Sequence, residues 1–262
     1  MFSATHFTYD GVYSGIYGLR IASFDSDNVE NSSVYSPEIT TSKAPAAKTF
    51  FCAGATVKTA PTFSFTVLCE GFINTEDRRE IMKWLRGDGH FKKLQFHQAD
   101  LEPYFYMGVF SEIEPVYFRN NNVGFNLTVT LNSEYARAED VVVKTTLTAG
   151  ETKEIILNNE SDTNGYIYPT IDYKNSGEAS STLTIENNAD NERVTGLTGV
   201  ESGESIELNG ELRMFTTSTA KAGRFSIFNG NWLRLKQGKN ILSVAGEGDL
   251  TIRFPVYVFI GF

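Results

Sequence analysis

The stretch GFNLTVTLN alternates apolar and polar residues with period two, so Phe125, Leu127, Val129 and Leu131 point one way and Asn126, Thr128 and Thr130 the other. Successive side chains of a strand face opposite sides of the sheet, and such a run specifies a strand with one buried face and one wet face. The pattern recurs in TFSFTVLCEGF, which places Phe63, Phe65, Val67 and Cys69 on one side. KKLQFHQ, PYFYMGVF and IEPVYF supply three more short strands. A first half built this way is an antiparallel β-sandwich or barrel-like domain.

One short segment breaks the alternation. Residues 79–96, REIMKWLRGDGHFKKLQF, read as a helix over about 75–86 that passes through a glycine turn into a strand. Asn74 or Thr75 caps it, Glu76 and Asp77 sit where the helix dipole favours anions, and Lys83 and Arg86 sit where it favours cations. Gly87 ends it. Ile81, Trp84 and Leu85, at i, i+3 and i+4, form one apolar stripe, so the helix is expected to lie over the apolar face of the sheet.

A second departure is the segment over about 26–50, SDNVENSSVYSPEITTSKAPAAKTF, which has few large apolar groups. It buries little surface alone and reads as a mobile loop or, the favoured expectation, an extended arm whose partner is another subunit. Past EYARAEDVVVKTTLTAGETKEI the chain becomes rich in Asn, Gly, Ser and Thr, which puts a boundary near 137–148 and divides the chain into 1–140 and 141–262. In the second part TLTIEN, ESIELNGELRMF, GRFSIFNGNWLRL, NILSVAG and DLTIRFPVYVF read as strands of a second β-sandwich. Asn209-Gly210 and Asn229-Gly230 read as two-residue hairpin turns, because a type I′ turn needs positive φ at both central residues.

Composition narrows the function. The chain has 23 Lys+Arg against 32 Asp+Glu, a net charge of -9, shared by both halves, whereas neutralising a nucleic-acid backbone takes clustered cations. Specific nucleic-acid binding is therefore not expected, nor are a signal peptide or membrane span, since no run of 18 apolar residues occurs. The two cysteines, Cys52 and Cys69, are too far apart for a C-x-x-C site and read as small buried residues on strands. His6, His90 and His97 have no zinc-ligand spacing.

The acidic neighbours Asp25/Asp27, Asp190/Glu192 and Glu247/Asp249 read as turn residues rather than catalytic pairs. No nucleophile elbow, phosphate loop or metal triad is present, so neither an enzyme nor a cofactor or metal protein is expected, and no catalytic residue is assigned. Arg86-Gly87-Asp88 is an RGD tripeptide that a helix end and a glycine turn explain without adhesion. Across 78–93 six Lys+Arg face only Glu80 and Asp88, a solvated helix face or a charged subunit contact. Tyr166, Tyr168, Trp232 and Tyr257 are candidates for stacking on sugars, with core or rim packing the plainer fate of each.

The order of these features resembles the distal tail protein family, Dit, of long-tailed siphophages. The opening strand and its G-L pair are matched by Phe7, Gly11, Ser14, Gly18 and Leu19, with Tyr9 and Val12 between. The W-L-x-G helix end and following L-x-F strand are matched by Trp84, Leu85, Gly87, Leu94 and Phe96. YIYPTIDYKNSGEASSTLTIEN is similar to the family's P-x-I strand, and Leu235, Gly238, Asn240 and Ile241 carry the closing L-x-x-G-x-N match.

The resemblance implies a mainly β protein with a ring-forming N-terminal domain and a C-terminal galectin-like, jelly-roll-type sandwich. It implies a non-enzymatic virion component at the distal end of the phage tail, synthesised in the host cytoplasm. Copies form a hexameric ring, or two rings back to back, around a channel for DNA. The ring connects the tail tube protein to the tail-associated lysin or fibre protein and, in many phages, to receptor-binding proteins. A carbohydrate-binding tail protein that recognises host cell-wall polysaccharide, and a tail tube relative, are the competing expectations.

Overall fold

The computed structural model describes residues 4–24, 38–43, 45, 48–56 and 59–260. Two compact units are present, Met1–Arg137 with Phe259–Phe262, and Ala138–Val258. Both are antiparallel and almost entirely β.

The first unit contains β1 (Phe7–Tyr9), β2 (Val12–Tyr13), β3 (Leu19–Phe24), β4 (Glu38–Ser42), β5 (Phe51–Thr56), β6 (Thr62–Cys69), α1 (Thr75–Arg86), β7 (Lys92–Phe96), β8 (Tyr104–Phe118) and β9 (Asn121–Leu131), with β10 (Ala136–Ala138) leading out of it. Seven of these strands lie side by side in one sheet in the order β2-β1-β7-β8-β9-β6-β3, and β10 joins the sheet by pairing with β8. Period two holds: Phe63, Phe65 and Val67 of β6 and Phe125, Leu127, Val129 and Leu131 of β9 are all buried, and Cys69 packs half-buried against the same core. PYFYMGVF and IEPVYF are one strand, β8, rather than two. A bulge at Ser111 between them resets the alternation, so that Phe110 and Ile113, three apart, both reach the core.

The core is an aromatic lattice around Phe7, whose ring meets Phe65 edge-on at 5.4 Å and stacks on Trp84 at 5.7 Å. Helix α1 forms as its caps dictate. The Asn74 side chain accepts from the Asp77 amide at 2.9 Å, and Gly87, at φ 54°, donates to the Lys83 and Trp84 carbonyls. It buries Ile81 and Leu85, while the half-buried Trp84 stacks on Phe7 and on Tyr17 at 5.3 Å. The Trp84 indole N–H donates to the Tyr9 carbonyl at 2.9 Å.

The opening-strand residues have physical reasons for their identity. Asp10 (φ 50°) and Gly11 (φ 77°) are the two central residues of a type I′ turn joining β1 to β2. The buried Ser14 hydroxyl accepts from the Phe7 amide at 3.2 Å. Gly18, at φ 67°, ends the short 3-10 turn Ser14–Tyr17 and releases Leu19 into the core.

The segment expected to be an arm lies partly outside the described residues, at 26–37, 44, 46 and 47. Its remainder contributes β4, which pairs antiparallel with β5 to give a separate two-stranded sheet. The side chains of 38–43 and 48–52 are all exposed, Ile39, Phe50 and Phe51 among them. Cys52 is thus exposed, contrary to the expectation of a buried cysteine, because a two-stranded ribbon has no second layer to bury either face against.

The second unit is a sandwich of a five-stranded and a four-stranded sheet. The first runs β11-β19-β13-β16-β17, formed by β11 (Val141–Leu147), β13 (Thr170–Lys174), β16 (Ser205–Asn209), β17 (Met214–Thr217) and β19 (Gly248–Phe254). The second runs β12-β18-β14-β15, formed by β12 (Thr152–Asn159), β14 (Ser181–Asn187), β15 (Arg193–Val200) and β18 (Gly238–Ala245), and β20 (Tyr257–Val258) ends the unit. Leu250, Ile252 and Phe254 of β19 and Leu242 and Val244 of β18 alternate into the shared core.

The Asn-Gly turns differ from expectation. Asn209 does begin the connection from β16 to β17, but the pairing Asn209↔Met214 leaves four residues in the loop. The Asn209 side chain closes it by accepting from the Leu212 amide at 3.0 Å, and Arg213 takes the left-handed conformation instead of Gly210. Asn229-Gly230 is no hairpin: Arg224–Ile227 is a 3-10 turn, and Phe228 makes a single bridge to Leu197. The true two-residue turns are Asp10-Gly11 and Arg119-Asn120, the latter joining β8 to β9 with φ of 48° and 66°.

Truncating the indole should remove the stack on Phe7 and leave the Tyr9 carbonyl without its donor. We expect Trp84→Ala to destabilise the first unit by about 3 kcal/mol and Trp84→Phe by about 1 kcal/mol. Circular dichroism melting should show both losses, with Trp232 fluorescence, the only remaining tryptophan signal, reporting an unmoved second unit.

Candidate functional site

The six basic residues of 78–93 have different fates. Lys92 bonds to Asp88 at 2.9 Å and lies 3.9 Å from Asp10, Lys93 sits over the Phe105 ring at 4.2 Å, and Arg78 donates to the Tyr117 hydroxyl at 3.3 Å. Arg79, Lys83 and Arg86 remain, spaced i, i+4 and i+7 on the exposed face of α1. With Met82, Gly87, Asp88 and Gly89 they line an open groove of about 640 Å³. None of the three pairs with a carboxylate among the described residues. The RGD tripeptide is the end of this groove, and its aspartate is occupied by the His90 amide and Lys92.

The sheet's non-core side is the second open surface. There Ser64 and Thr128 bond at 2.9 Å, Thr66 donates to Asn126 at 2.8 Å, and Glu112 and Glu114 of β8 stand exposed beside Thr128 and Asn126. The outer edge of β3, last in its sheet, pairs with no strand among the described residues.

The four aromatic residues named for sugar stacking are all half-buried, and each has a partner. Arg213 lies 3.7 Å over Tyr168 and 5.7 Å from Trp232, whose other neighbour is Phe228 at 4.8 Å. Arg234 lies 4.1 Å over Tyr166, and the Tyr257 hydroxyl donates to Glu211 at 3.3 Å. A guanidinium on a ring face takes the surface that a sugar would stack on. Nothing in the spacing of Arg213 or Arg234 foretells this, because both come from loops.

The acidic neighbours are structural. Asp190 is buried and holds Arg234 through two bonds of 2.6 and 3.0 Å, Glu192 is an exposed turn residue at φ 56°, and Asp249 accepts from Thr146 at 2.9 Å. The Glu247 carbonyl accepts from the Tyr173 hydroxyl at 2.6 Å, while Asp25 and Asp27 lie outside the described residues. Burial raises the Asp190 carboxyl, but Arg234 more than reverses it and leaves it below its ordinary value. His97 and His6 become cross-strand neighbours through the β1–β7 pairing, the His97 amide donating to the His6 carbonyl at 2.9 Å, a proximity that sequence spacing hides. Tyr13 lies between their rings at 5.1 and 5.3 Å. No group of three or more His, Cys, Asp or Glu side chains among the described residues is placed to hold a metal ion. No described helix is long and apolar enough to cross a membrane.

Comparison with known proteins decides the family. Residues 2–133 match the family described as phage tail protein N-terminal domain, and residues 138–254 match the phage tail C-terminal domain. The chain belongs to the phage tail protein family. Its fold is that of the Dit protein of phage SPP1, described as a paradigm of the hub adsorption apparatus in phages infecting Gram-positive hosts. That likeness has a TM-score of 0.68 at 15% identity and covers 97% of this chain and 99% of that one. A chain of the phage P2 baseplate in its activated conformation with Ca is also similar, at a TM-score of 0.56 and 9% identity over 97% and 98%. The p2 baseplate with Sr gives 0.53 and 11% over 91% and 90%. No curated protein sequence matches the chain.

One buried pair of this phage tail protein is a sensitive reporter of its second unit. Burial raises the Glu204 carboxyl, but bonds from Arg224, the Thr217 hydroxyl and the Glu201 amide overcome this and hold it at about 2. A folded-state value depressed below the ordinary 4.5 stabilises the fold fully above that pH and ceases to do so as pH falls through about 2. Thermal melts should therefore show second-unit stability declining from about pH 4.5 to about pH 2. Glu204→Gln should be less stable at pH 7 and show a shallower decline.

Proposed function

We propose that this phage tail protein is a structural hub subunit at the distal end of a long-tailed phage's tail. Copies of it close into a hexameric ring that joins the tail tube to the tail-tip or baseplate and host-adsorption proteins. The observation that carries the reading is the fold likeness to SPP1 Dit over the whole of both chains, 97% and 99%. The role is structural, with no catalytic step assigned to any residue.

In this reading the domain of residues 1–140 builds the ring. A head-to-tail ring needs two different complementary surfaces on each copy. The outer edge of β3, where the Ile21 amide is already taken by the Thr5 carbonyl, offers its remaining backbone donors and acceptors, and the exposed β4–β5 ribbon offers Ile39, Phe50 and Phe51 to a neighbour. The channel wall is then the polar side of β8, β9 and β6, where hydroxyls and amides bond to each other and Glu112 and Glu114 repel a passing polyanion. The five-plus-four sandwich of the second unit, Ala138–Val258, is compatible with a galectin-like domain that meets the adsorption proteins.

Electron microscopy of virions labelled with an antibody to this chain should place the label at the tail's far end only. Label along the shaft would instead make the protein a tube subunit. The purified chain should give a closed six-membered ring by native mass measurement, and a particle that stays monomeric at high concentration would remove the ring.

A further inference from the structure

The groove along α1 is a basic surface, and the same chain carries a segment of opposite charge. Arg79, Lys83 and Arg86 repeat on one helix face, where like charges at i and i+4 disfavour the helix. They remain unpaired with carboxylates among the described residues, in a chain with nine more acidic than basic residues. The groove they line, about 640 Å³, ends at Gly87 and Gly89, which add no side chain to close it. Between Arg20 and Lys43 the sequence has no Lys or Arg, and it carries Asp25, Asp27 and Glu30 within six residues.

We propose that the α1 groove is the docking surface for the acidic 25–30 segment of a second copy of this chain, with Asp25, Asp27 and Glu30 facing Arg79, Lys83 and Arg86. The inference rests on the ring reading, because the segment reaches a neighbour only where copies stand side by side. It assigns that ring a specific electrostatic contact. The ribbon that follows the segment has every described side chain exposed, so nothing described there buries it against its own unit. A carboxylate-rich segment and a cationic stripe are complementary in sign. Such contacts set partner choice and register more than raw affinity, and they weaken with salt.

The test uses the full chain and reads assembly by sedimentation and native mass measurement at about 0.05 M and about 1 M salt, where the screening length falls to roughly 3 Å. The triple variant Arg79→Glu, Lys83→Glu, Arg86→Glu and the separate variant Asp25→Lys, Asp27→Lys, Glu30→Lys are each expected to raise the concentration needed for assembly about tenfold or more. Circular dichroism should show both folded. Mixed in equal amounts, the two variants should assemble again, each reversed groove taking the other's reversed segment. Wild-type assembly should weaken at the higher salt. A mixture that fails while one chain bearing all six changes assembles would mean that the segment docks on its own helix, and would overturn the contact between copies. Assembly of the folded groove variant at the wild-type concentration would overturn the docking and leave the ring standing. A wild-type chain that never assembles would overturn both.

Discussion

The first unit depends on covering one face of one sheet. Strands with period-two patterning produce an apolar side that must be removed from water, and the sheet curls until β1 and β7 face β6 across the core, Phe7 meeting Phe65 at 5.4 Å and Phe96 meeting Phe63 at 5.8 Å, which leaves an opening to be covered. Helix α1 supplies that cover. Ile81 and Leu85 enter the core outright, and Trp84 ties the helix to β1 by stacking on Phe7 while its N–H is satisfied by the Tyr9 carbonyl. The indole does both jobs because it has an apolar body and one polar handle, a combination no aliphatic residue offers. The residues that recur in the tail-protein pattern follow from this contact. Gly11 turns β1 back, Ser14 fixes the Phe7 amide, and Gly18 frees Leu19 to close the core behind.

The second unit meets the same requirement with two sheets facing each other, and its polar ends are closed by buried asparagines. Asn240 accepts from the Lys236 amide at 3.0 Å, donates to the Lys236 and Gly238 carbonyls, and takes a bond from Asn187. Asn187 in turn donates to the Arg234 carbonyl, whose side chain holds Asp190. A side-chain amide with two donors and an acceptor can satisfy a loop's backbone groups where water is excluded. This is the physical content of the L-x-x-G-x-N pattern: Gly238, at φ 84°, makes the turn and Asn240 fills the space inside it.

Strand faces, the helix with both caps, and the family were legible in the sequence because each rests on local chemistry or on the order of local features. Phe125, Leu127, Val129 and Leu131 needed only their alternation. Turns were less legible, since Asn209-Gly210 carries a strong hairpin signal that a wider loop overrides, while Asp10-Gly11 carries the same kind of signal and uses it. The bulge at Ser111 fused two expected strands, and no residue type announces a bulge of that kind. Surfaces were least legible. The guanidinium caps on Tyr166 and Tyr168, and the sorting of six clustered cations into three with partners and three with no carboxylate partner among the described residues, depend on which elements fold back.

That sorting bears on the ring proposed for this acidic protein. A chain of charge -9 repels its own copies at long range, so close association needs local patches where the sign inverts. The helix that covers the core provides one, because its inner stripe is committed to Ile81 and Leu85 while its outer stripe is free to be cationic. The polar side of the sheet, which carries the exposed Glu112 and Glu114, keeps the overall sign, as the channel wall of the proposed ring requires. In the proposed ring, one element order separates the two requirements: adhesion to other copies is assigned to the outer face of α1, and slip to the far side of the sheet that α1 covers.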